Sequence, residues 1–366
     1  MGPMKITRLE TYTQGHLTVV RVITESGDEG WGQMAPYNAD IAAQVFHRQV
    51  APVVLGKGAE RIDALVDRVI ETQYKFNGSY LCRALGGLDT ALWDLEARRV
   101  GKSVCEMLGG TLRPVPVYGS SMRRDIAPED EAARMKRLRD EKGYRAFKTR
   151  IGSRLGHDQD EFPGRTEKLI PTLRRELGDD IRLMADANGA YTPLRAIEVG
   201  RLLEKHGVAH YEEPCPYWEI EWTAEVAAAL DVPVAGGEQD FNLAQWRRIF
   251  ALPAVDIAQP DICYVGGLTN ALRVANLASG RGRICVPHCA NRSLIAVFTA
   301  HFLNAINNPG PFMENSIEDT PWTEGLFAPA LNIRDGQLTV PEAPGWGVEI
   351  RRAWLEKAER RVSEAT

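Results

Sequence analysis

The stretch Leu183-Met184-Ala185-Asp186-Ala187-Asn188 is a short apolar run that ends in polar residues, and the same arrangement recurs along the chain. The polar end points after Asp186 are Glu212, Glu238, Asp261, His288 and Glu314. Successive end points lie 26, 26, 23, 27 and 26 residues apart. Such a regular interval indicates one supersecondary unit used repeatedly. About 25 residues accommodate a strand, a loop, a helix of about three turns and a returning loop.

The repeat predicts a closed barrel. Apolar runs that read as strands begin near residues 115, 147, 184, 210, 234, 257, 285 and 312. A helical pattern follows each of the first seven runs, and strands that alternate with helices form a parallel sheet. Eight such strands predict an α/β fold of the (β/α)₈ TIM-barrel type. The polar end points would then meet at the carboxyl ends of the strands, where such barrels hold their chemistry.

The first part of the chain follows a different pattern. Alternating and β-branched residues predict a hairpin over 6–24, and apolar faces predict helices over 38–72 and 80–98. A hairpin and helices that precede the repeats imply a separate α+β domain over residues 1–114.

The barrel is assigned to residues 115–320, and the tail over 321–366 differs from it. Two short strands are predicted at 337–341 and 347–350, followed by a charged helix over 352–363. We expect this tail to leave the barrel and return to the N-terminal domain.

The composition excludes several classes of protein. The chain has 366 residues, of which 44% are hydrophobic and 25% charged, as in an ordinary globular protein. The net charge of −5 argues against nucleic acid as a partner. No apolar run approaches the roughly 18 residues of a membrane helix, and the N-terminus lacks a signal-peptide core. We therefore expect a cytoplasmic protein that does not bind membranes.

The cysteines point to buried thiols. Six cysteines are too few for a disulfide scaffold in a chain of this length. The run from Cys285 through His288 to Cys289 could suggest zinc, but a structural zinc site needs a second pair of ligands. No such pair is evident in the sequence.

Three carboxylates predict a metal site. Asp186, Glu212 and Glu238 end successive strands, and three buried carboxylates without a partner would repel one another and take up protons. A hard divalent cation removes this repulsion, and oxygen ligands suit Mg²⁺. We expect one Mg²⁺ per subunit. The alternative, that each carboxylate only caps the following helix, does not account for their equal spacing.

The remaining polar end points predict proton chemistry. Lys148 and Arg150 lie two apart on a strand and therefore face the barrel interior together; a structural salt bridge is the alternative to substrate binding by Lys148. Asp261 on the neighbouring strand could orient and charge His288, which would give a base of near-neutral pKa. Glu314 could hydrogen-bond a substrate oxygen opposite the metal.

At these residues the sequence resembles the enolase superfamily, and specifically its mandelate racemase subgroup. The resemblance covers nearly the whole chain. It rests on Ala84–Leu95 and Leu108-Gly109-Gly110 in the capping domain, Lys148-Thr149-Arg150, Asp186-Ala187-Asn188, Glu212-Glu213-Pro214, Gly237-Glu238, the pair Asp261 and His288, and Glu314.

The resemblance implies an α+β capping domain over a modified barrel. It also implies that Mg²⁺ and Lys148 bind a substrate carboxylate, that a base removes the α-proton, and that the metal stabilises the enediolate. Catalytic roles fall to Lys148, Arg150, Asp261, His288 and Glu314. Substrate contacts fall to Lys148, Asn188 and Glu314, and the substrate is a small carboxylate.

Two departures from the family pattern bear on the function. Arg150 stands where many members carry a second lysine, and arginine is a poor base because it holds its proton tightly. A site in which His288 is the single base favours β-elimination of water from a sugar acid. This reaction gives a 2-keto-3-deoxy acid. The alternative is a racemase, epimerase or cycloisomerase that uses the same enolate. The hairpin turn at 14–17 is too short for the family's lid. The lid is then short, comes from elsewhere in the chain, such as 36–40 or 74–80, or comes from a neighbouring subunit. We expect a homo-oligomer.

Two other classes fit less well. A barrel that only binds or acts as a scaffold would lack a metal ligand or one of the base pair, and all are present. A metal-dependent aldolase would not explain the N-terminal domain and the returning tail.

Overall fold

A computed structural model describes residues 4–365. The strands, in chain order, are β1 (Ile6–Gln14), β2 (Leu17–Thr24), β3 (Glu29–Gln33), β4 (Val115–Ser120), β5 (Ala146–Arg150), β6 (Arg182–Asp186), β7 (Tyr211–Glu212), β8 (Val234–Gly236), β9 (Ile257–Ala258), β10 (Ile284–Cys285), β11 (Met313–Ser316), β12 (Phe327–Ala328), β13 (Ile333–Arg334), β14 (Gln337–Leu338), β15 (Glu349–Ile350) and β16 (Glu359–Glu364). The α-helices are α1 (Ala39–Val45), α2 (Ala51–Val54), α3 (Ile62–Thr72), α4 (Ser79–Arg99), α5 (Val104–Met107), α6 (Pro128–Lys142), α7 (Arg165–Leu177), α8 (Pro193–Lys205), α9 (Ile220–Ala229), α10 (Leu243–Ala251), α11 (Leu268–Ser279), α12 (Leu294–Leu303) and α13 (Arg352–Leu355).

The barrel is formed by β4 to β11, in the parallel order β10-β9-β8-β7-β6-β5-β4-β11. Its ring is closed between β10 and the segment before β11. The N–H group of Cys285 donates to the carbonyl of Asn308 at 2.8 Å, and the N–H group of Gly310 donates to the carbonyl of Cys285 at 3.0 Å. Helices α6 to α12 follow the first seven strands, so the predicted barrel is confirmed in a (β/α)₇β form.

The N-terminal residues form an antiparallel sheet in the order β16-β1-β2-β3, packed against α4. Gly30 and Gly32 on β3 let the helix approach closely, because a Cβ atom at either position would overlap the backbone of Ala91. The helix expected over 38–72 is interrupted, since α2 ends at Val54 and α3 begins at Ile62.

The tail replaces an eighth barrel helix. β14 pairs antiparallel with β4, and β16 pairs with β1 in a register that runs from Arg8–Glu364 to Thr13–Glu359. The predicted charged helix over 352–363 is wrong, because only Arg352–Leu355 is helical. An alternating charged segment suits an exposed edge strand, and Arg360 of β16 forms an ion pair with the buried Glu10 of β1.

Buried polar contacts join the capping domain, the barrel and the tail. His301 on α12 accepts a hydrogen bond at Nδ1 from the N–H group of Cys105, and its Nε2 lies 3.2 Å from the carbonyl of Trp346. A carbonyl can only accept, so the Nε2–H tautomer satisfies both contacts. Burial lowers the pKa of His301 to about 4.

Among residues 4–365, no helix combines the length and apolar character needed to cross a bilayer.

Candidate active site

The polar end points meet at the carboxyl ends of the barrel strands. The strand register places Arg150 beside Asp186 and Asp186 beside Glu212. The remaining members lie at the ends of the strands that continue the ring on either side. The structure therefore brings together all the predicted site residues: Lys148, Arg150, Asp186, Asn188, Glu212, Glu238, Asp261, His288 and Glu314.

Lys148 is the central cation of the site and is 1% exposed. Its Nζ atom lies 2.5 Å from Oε1 of Glu212, 2.9 Å from Oε1 of Glu314 and 3.9 Å from Oδ2 of Asp186. Burial alone would lower the pKa of Lys148, but Glu212 and Glu314 raise it well above its ordinary value. Lys148 is thus a permanent cation, and it forms the salt bridges that the sequence left as an alternative to substrate binding.

The three predicted metal ligands have different electrostatic environments. Burial and the charge of Glu212 raise the pKa of Asp186, and burial together with Asp186 raises the pKa of Glu238. Burial would also raise the pKa of Glu212, but Lys148 and His210 lower it. Burial and mutual repulsion therefore disfavour the ionised forms of Asp186 and Glu238, and a bound cation would offset this effect.

The fit to a metal ion rests on the type of donor. Among residues 4–365, no three His, Cys, Asp or Glu side chains are grouped closely enough to hold an ion. Glu212 is held away from such a group by other partners. One of its oxygens contacts Lys148, and the other accepts a hydrogen bond from Gln259 at 2.6 Å. The donor set, three buried carboxylates, fits a hard divalent cation by its chemistry.

His288 and Asp261 form a hydrogen-bonded pair. Nδ1 of His288 lies 2.8 Å from Oδ2 of Asp261. The other oxygen of Asp261 accepts from the N–H groups of Cys263 at 2.7 Å and Tyr264 at 3.0 Å. The carboxylate is thereby fixed, and it holds the proton on Nδ1. Nε2 is left to face Glu238, 3.5 Å from its Oε2.

The expected near-neutral pKa of His288 is wrong for this arrangement. Burial lowers the pKa, but Glu238, Asp261 and Glu314 together raise it to about 10. The sequence identified one carboxylate neighbour, whereas the fold supplies three.

Glu314 is held as an ionised acceptor. Its Oε1 accepts from the hydroxyl group of Ser120 at 2.7 Å, and its Oε2 accepts from the N–H group of Cys289 at 2.7 Å. Burial would raise the pKa of Glu314, but Lys148 and His288 lower it. An ionised Glu314 can accept a hydrogen bond from a substrate hydroxyl group but cannot donate one.

Arg150 and Asn188 lie on the side of the site opposite His288. Nη1 of Arg150 donates to Oδ1 of Asn188 at 2.5 Å. Asn188 has a left-handed φ of 42° and is tied to Asp186 through its own N–H group at 2.8 Å and its Nδ2 at 3.1 Å. Burial would lower the pKa of Arg150, but Asp186 and Glu238 raise it. Arg150 therefore remains protonated.

The sequence interpretation missed several site residues. His210 and Gln259 each precede a strand-end carboxylate by two positions, and a period of two places them on the same interior face. That signal was available in the sequence. Arg124 was missed for another reason: it lies in the loop after β4, and loop residues follow no periodic pattern. Its Nη2 donates to Oδ1 of Asn188 at 2.7 Å.

The capping domain approaches the site through Arg83, and its hairpin contacts the tail. Arg83 on α4 stacks on the ring of Tyr264 at 3.6 Å, and that ring lies 5.8 Å from the ring of His288. His16 in the short hairpin turn contacts Trp322, with ring centroids 5.6 Å apart. The thin hairpin is thus packed against the tail by an aromatic contact.

The capped barrel gathers a lysine, buried carboxylates and a His–Asp pair at its strand ends. This arrangement defines a class of enzyme that moves protons near a charged substrate. Residues 1–109 match the N-terminal domain of the mandelate racemase/muconate lactonizing enzyme family, and residues 130–354 match the enolase C-terminal domain-like family. The chain belongs to the mandelate racemase subgroup of the enolase superfamily.

Similar proteins cover nearly the whole chain. Arabinonate dehydratase of Saccharolobus solfataricus is 28% identical over 93% of this chain and 90% of its own. D-galactarolactone cycloisomerase of Agrobacterium fabrum is 31% identical over 91% and 89%.

Solved structures show the same architecture. A provisionally assigned racemase from Roseobacter denitrificans is 52% identical, has a TM-score of 0.97, and is matched over 99% of this chain and 100% of its own. A mandelate racemase/muconate lactonizing protein from Paracoccus denitrificans, complexed with magnesium, is 29% identical with a TM-score of 0.88 over 100% and 99%.

Proposed function

We propose that the protein removes the proton α to the carboxylate of a sugar acid and then eliminates the β-hydroxyl group as water. The product is a 2-keto-3-deoxy acid, and the enzyme is a hydro-lyase that serves sugar-acid breakdown. The observation that carries the proposal is the asymmetry of the site. His288 is oriented by Asp261 on one side, whereas the other side presents Arg150, which is protonated and cannot accept a proton.

His288 performs both proton transfers in this reaction. Burial lowers the pKa of His288, but Glu238, Asp261 and Glu314 raise it to about 10, so His288 must first lose a proton to act as a base. In its neutral form Nε2 takes the α-proton, while Asp261 holds the proton on Nδ1 and stabilises the imidazolium. The same Nε2–H group then donates to the departing β-hydroxyl group, so one residue acts first as base and then as acid. The α-proton thus leaves in the water that is formed. The enol that remains becomes the 2-keto-3-deoxy acid when the proton of its C2 hydroxyl group is lost and C3 takes up a proton.

The remaining residues bind and orient the substrate. Lys148 and Arg150 supply positive charge near the substrate carboxylate, and Asn188 and Glu314 contact its oxygen atoms. Asp186, Glu212 and Glu238 would hold Mg²⁺. When bound, the metal neutralises charge that develops on the carboxylate and opposes the effect of Glu238 on the pKa of His288.

The names of similar proteins support this reaction class. Arabinonate dehydratase acts on a sugar acid, and the Paracoccus denitrificans protein was solved with magnesium. The cycloisomerase from Agrobacterium fabrum supports the alternative, an isomerase that uses the same enolate. Arg150 weighs against a two-base racemase in particular, because such an enzyme needs a proton acceptor on each face of the substrate.

A substrate screen tests the proposal. The purified protein with Mg²⁺ is incubated with aldonic and aldaric acids, and 2-keto acids are detected with semicarbazide. We expect keto-acid release from at least one acid, and its loss on chelation of the metal. Exchange of the α-proton in D₂O without loss of water, or activity only on substrates that lack a β-leaving group, would replace the dehydratase with the isomerase.

A further inference from the structure

The capping domain places one fully buried amide against the barrel. Gln33 is the last residue of β3 and is 0% exposed. Its main-chain N–H group donates to the hydroxyl group of Thr90 on α4 at 3.2 Å, so the helix fixes where the side chain begins. Nε2 of Gln33 donates to Oγ of Ser293 at 2.8 Å. Oε1 accepts at 3.0 Å from the N–H group of Leu294, which begins α12 and has no acceptor for that group within the helix.

These side-chain bonds anchor the segment between β10 and α12, which carries the base. Oγ of Ser293 donates in turn to Oδ1 of Asn291 at 2.6 Å. The thiol group of Cys289 donates to the carbonyl of Asn291 at 3.7 Å, and Cys289 directly follows the base in the chain. A short series of contacts therefore runs from Gln33 to the residue beside the base.

The main chain of Gln33 contacts the segment that carries Asp261. Its carbonyl oxygen accepts from the thiol group of Cys263 at 3.6 Å, and the N–H group of Cys263 donates to Oδ1 of Asp261 at 2.7 Å. A thiol is only a weak donor, but α4 packs closely against the same residue. A Cβ atom at Gly86 would lie 2.8 Å from the carbonyl oxygen of Cys263. Gln33 thus contacts both of the segments that the His–Asp hydrogen bond joins.

The barrel itself gives these two segments little support. The hydrogen bond between His288 and Asp261 spans the ends of β10 and β9, and these strands pair over only two residues each. We propose that Gln33 is a positioning residue for this pair, which holds the two segments in a fixed relation from the capping domain. The inference rests on the proposed function for the role of the pair as base, and it adds a residue outside the barrel that acts through His288.

A contact that only docked the two domains would not need to reach these segments. Nε1 of Trp93 on α4 donates to Oγ1 of Thr269 on α11 at 3.0 Å, which is such a contact. Thr269→Val removes a hydrogen bond between the same two domains without removing a bond from Gln33. It is therefore the matched control for the loss of docking energy.

The kinetic test compares Gln33→Met with Thr269→Val. Methionine fills a similar volume but has no N–H donor and only a weak sulfur acceptor. Gln33→Met should lower kcat for keto-acid release about 10- to 100-fold, because a displaced base transfers protons slowly. KM and Mg²⁺ affinity should stay unchanged, since Gln33 contacts neither the metal ligands nor the cations of the site. Thr269→Val should keep the wild-type kcat.

A second variant tests the route through Ser293. Ser293→Ala removes the partner of Nε2 and should lower kcat in the same direction. The double variant should fall no further than Gln33→Met, because both changes remove the same contact. Should Gln33→Met fail to fold, Ser293→Ala carries the comparison with Thr269→Val.

A spectroscopic measurement separates this inference from the reaction. In protein with isotope-labelled histidine and Mg²⁺ but no substrate, the chemical shifts of Nδ1 and its proton report the hydrogen bond from His288 to Asp261. The signals are identified by their absence from His288→Asn. They should change in Gln33→Met and stay unchanged in Thr269→Val at the same pH, whether or not any sugar acid is dehydrated.

Three results would overturn the inference. Wild-type kcat and unchanged Nδ1 signals in Gln33→Met, with a melting temperature lowered as in Thr269→Val, would reduce Gln33 to a docking contact. A loss shared among kcat, KM and metal affinity would mean that Gln33 supports the whole site. Additive losses in the double variant would show that Gln33 and Ser293 act separately. Changed Nδ1 signals in a protein that dehydrates no sugar acid would instead remove the proposed reaction and leave the positioning role in place.

Discussion

Nδ1 of His288 lies 2.8 Å from Oδ2 of Asp261, and the opposite oxygen of Asp261 is held by two backbone N–H groups. The pair therefore fixes both the tautomer and the direction of the imidazole before substrate binds. Nε2, the nitrogen that remains, points towards the carboxylates of the site.

Asp261→Asn should lower kcat about 100-fold or more, because an asparagine cannot stabilise the imidazolium as a carboxylate does. The rate of keto-acid release, measured beside α-proton exchange in D₂O, checks this. Both rates should fall together, since both begin with the same proton transfer. A variant that folds normally and keeps its exchange rate would show that Asp261 does not act through His288.

His288→Asn should abolish turnover while Mg²⁺ affinity and the unfolding midpoint stay close to those of the wild type. The asparagine retains a polar group of similar reach, so the pocket is not left with a large cavity. Steady-state kinetics and metal titration by calorimetry provide the two measurements. Turnover near the wild-type level would exclude His288 as the base.

Glu238→Gln should weaken Mg²⁺ binding by about 10-fold or more, because an amide carbonyl replaces a charged ligand. Calorimetry with Mg²⁺ alone, without substrate, measures the effect directly. Gln259→Leu is a useful comparison, since Gln259 contacts Glu212 but carries no charge. Metal affinity unchanged in Glu238→Gln would remove Glu238 from the set of ligands.

Lys148→Met should lower the free energy of unfolding by about 3–5 kcal/mol, because it leaves Glu212 and Glu314 buried without their cation. Urea denaturation at pH 7 measures the loss. The double variant Lys148→Met, Glu212→Gln should recover part of it, since one of the uncompensated charges is then absent. A loss below about 1 kcal/mol in the single variant would contradict the central role given to this ammonium group.

His301 should contribute an acid-dependent loss of stability. Its pKa in the folded protein is about 4, below the 6.5 of an exposed histidine, so the unfolded chain takes up the proton first as the pH falls. The free energy of unfolding should therefore fall between pH 6.5 and 4, by up to about 3 kcal/mol from this group.

The variant His301→Gln isolates that contribution. Glutamine can accept from the N–H group of Cys105 and donate to the carbonyl of Trp346, yet it does not titrate. Unfolding curves at several pH values should show a smaller loss for the variant than for the wild type over this window. Parallel curves would mean that other groups account for the acid sensitivity.

The parts of the site that the sequence predicted are those that obey a period. The interval of about 25 residues aligned Asp186, Glu212 and Glu238, because each repeat returns the chain to the same end of the barrel. The period of two within a strand placed Lys148 and Arg150 on one face. Such regularities survive in sequence because they come from backbone geometry.

The features that escaped prediction depend on contacts between distant segments. The charged segment over 352–363 is predicted as a helix, but Glu359–Glu364 pairs with the open edge of β1 as a strand. The pKa of His288 depends on Glu238 and Glu314. The linear sequence does not show how close either residue lies to His288. Arg124 occupies an irregular loop whose position is set by Arg165.

The pairing of β16 with β1 also has a consequence for biosynthesis. Arg360 and its partner Glu10 are 350 residues apart, so β1 leaves the ribosome long before the strand that covers its edge. Domains fold during synthesis from the N-terminus onwards. The edge of β1 in the capping sheet therefore stays unpaired until the barrel and β16 have been translated. During that interval the edge of β1 can accept the β16 strand of a neighbouring nascent chain, and a truncation before residue 359 would leave it open permanently.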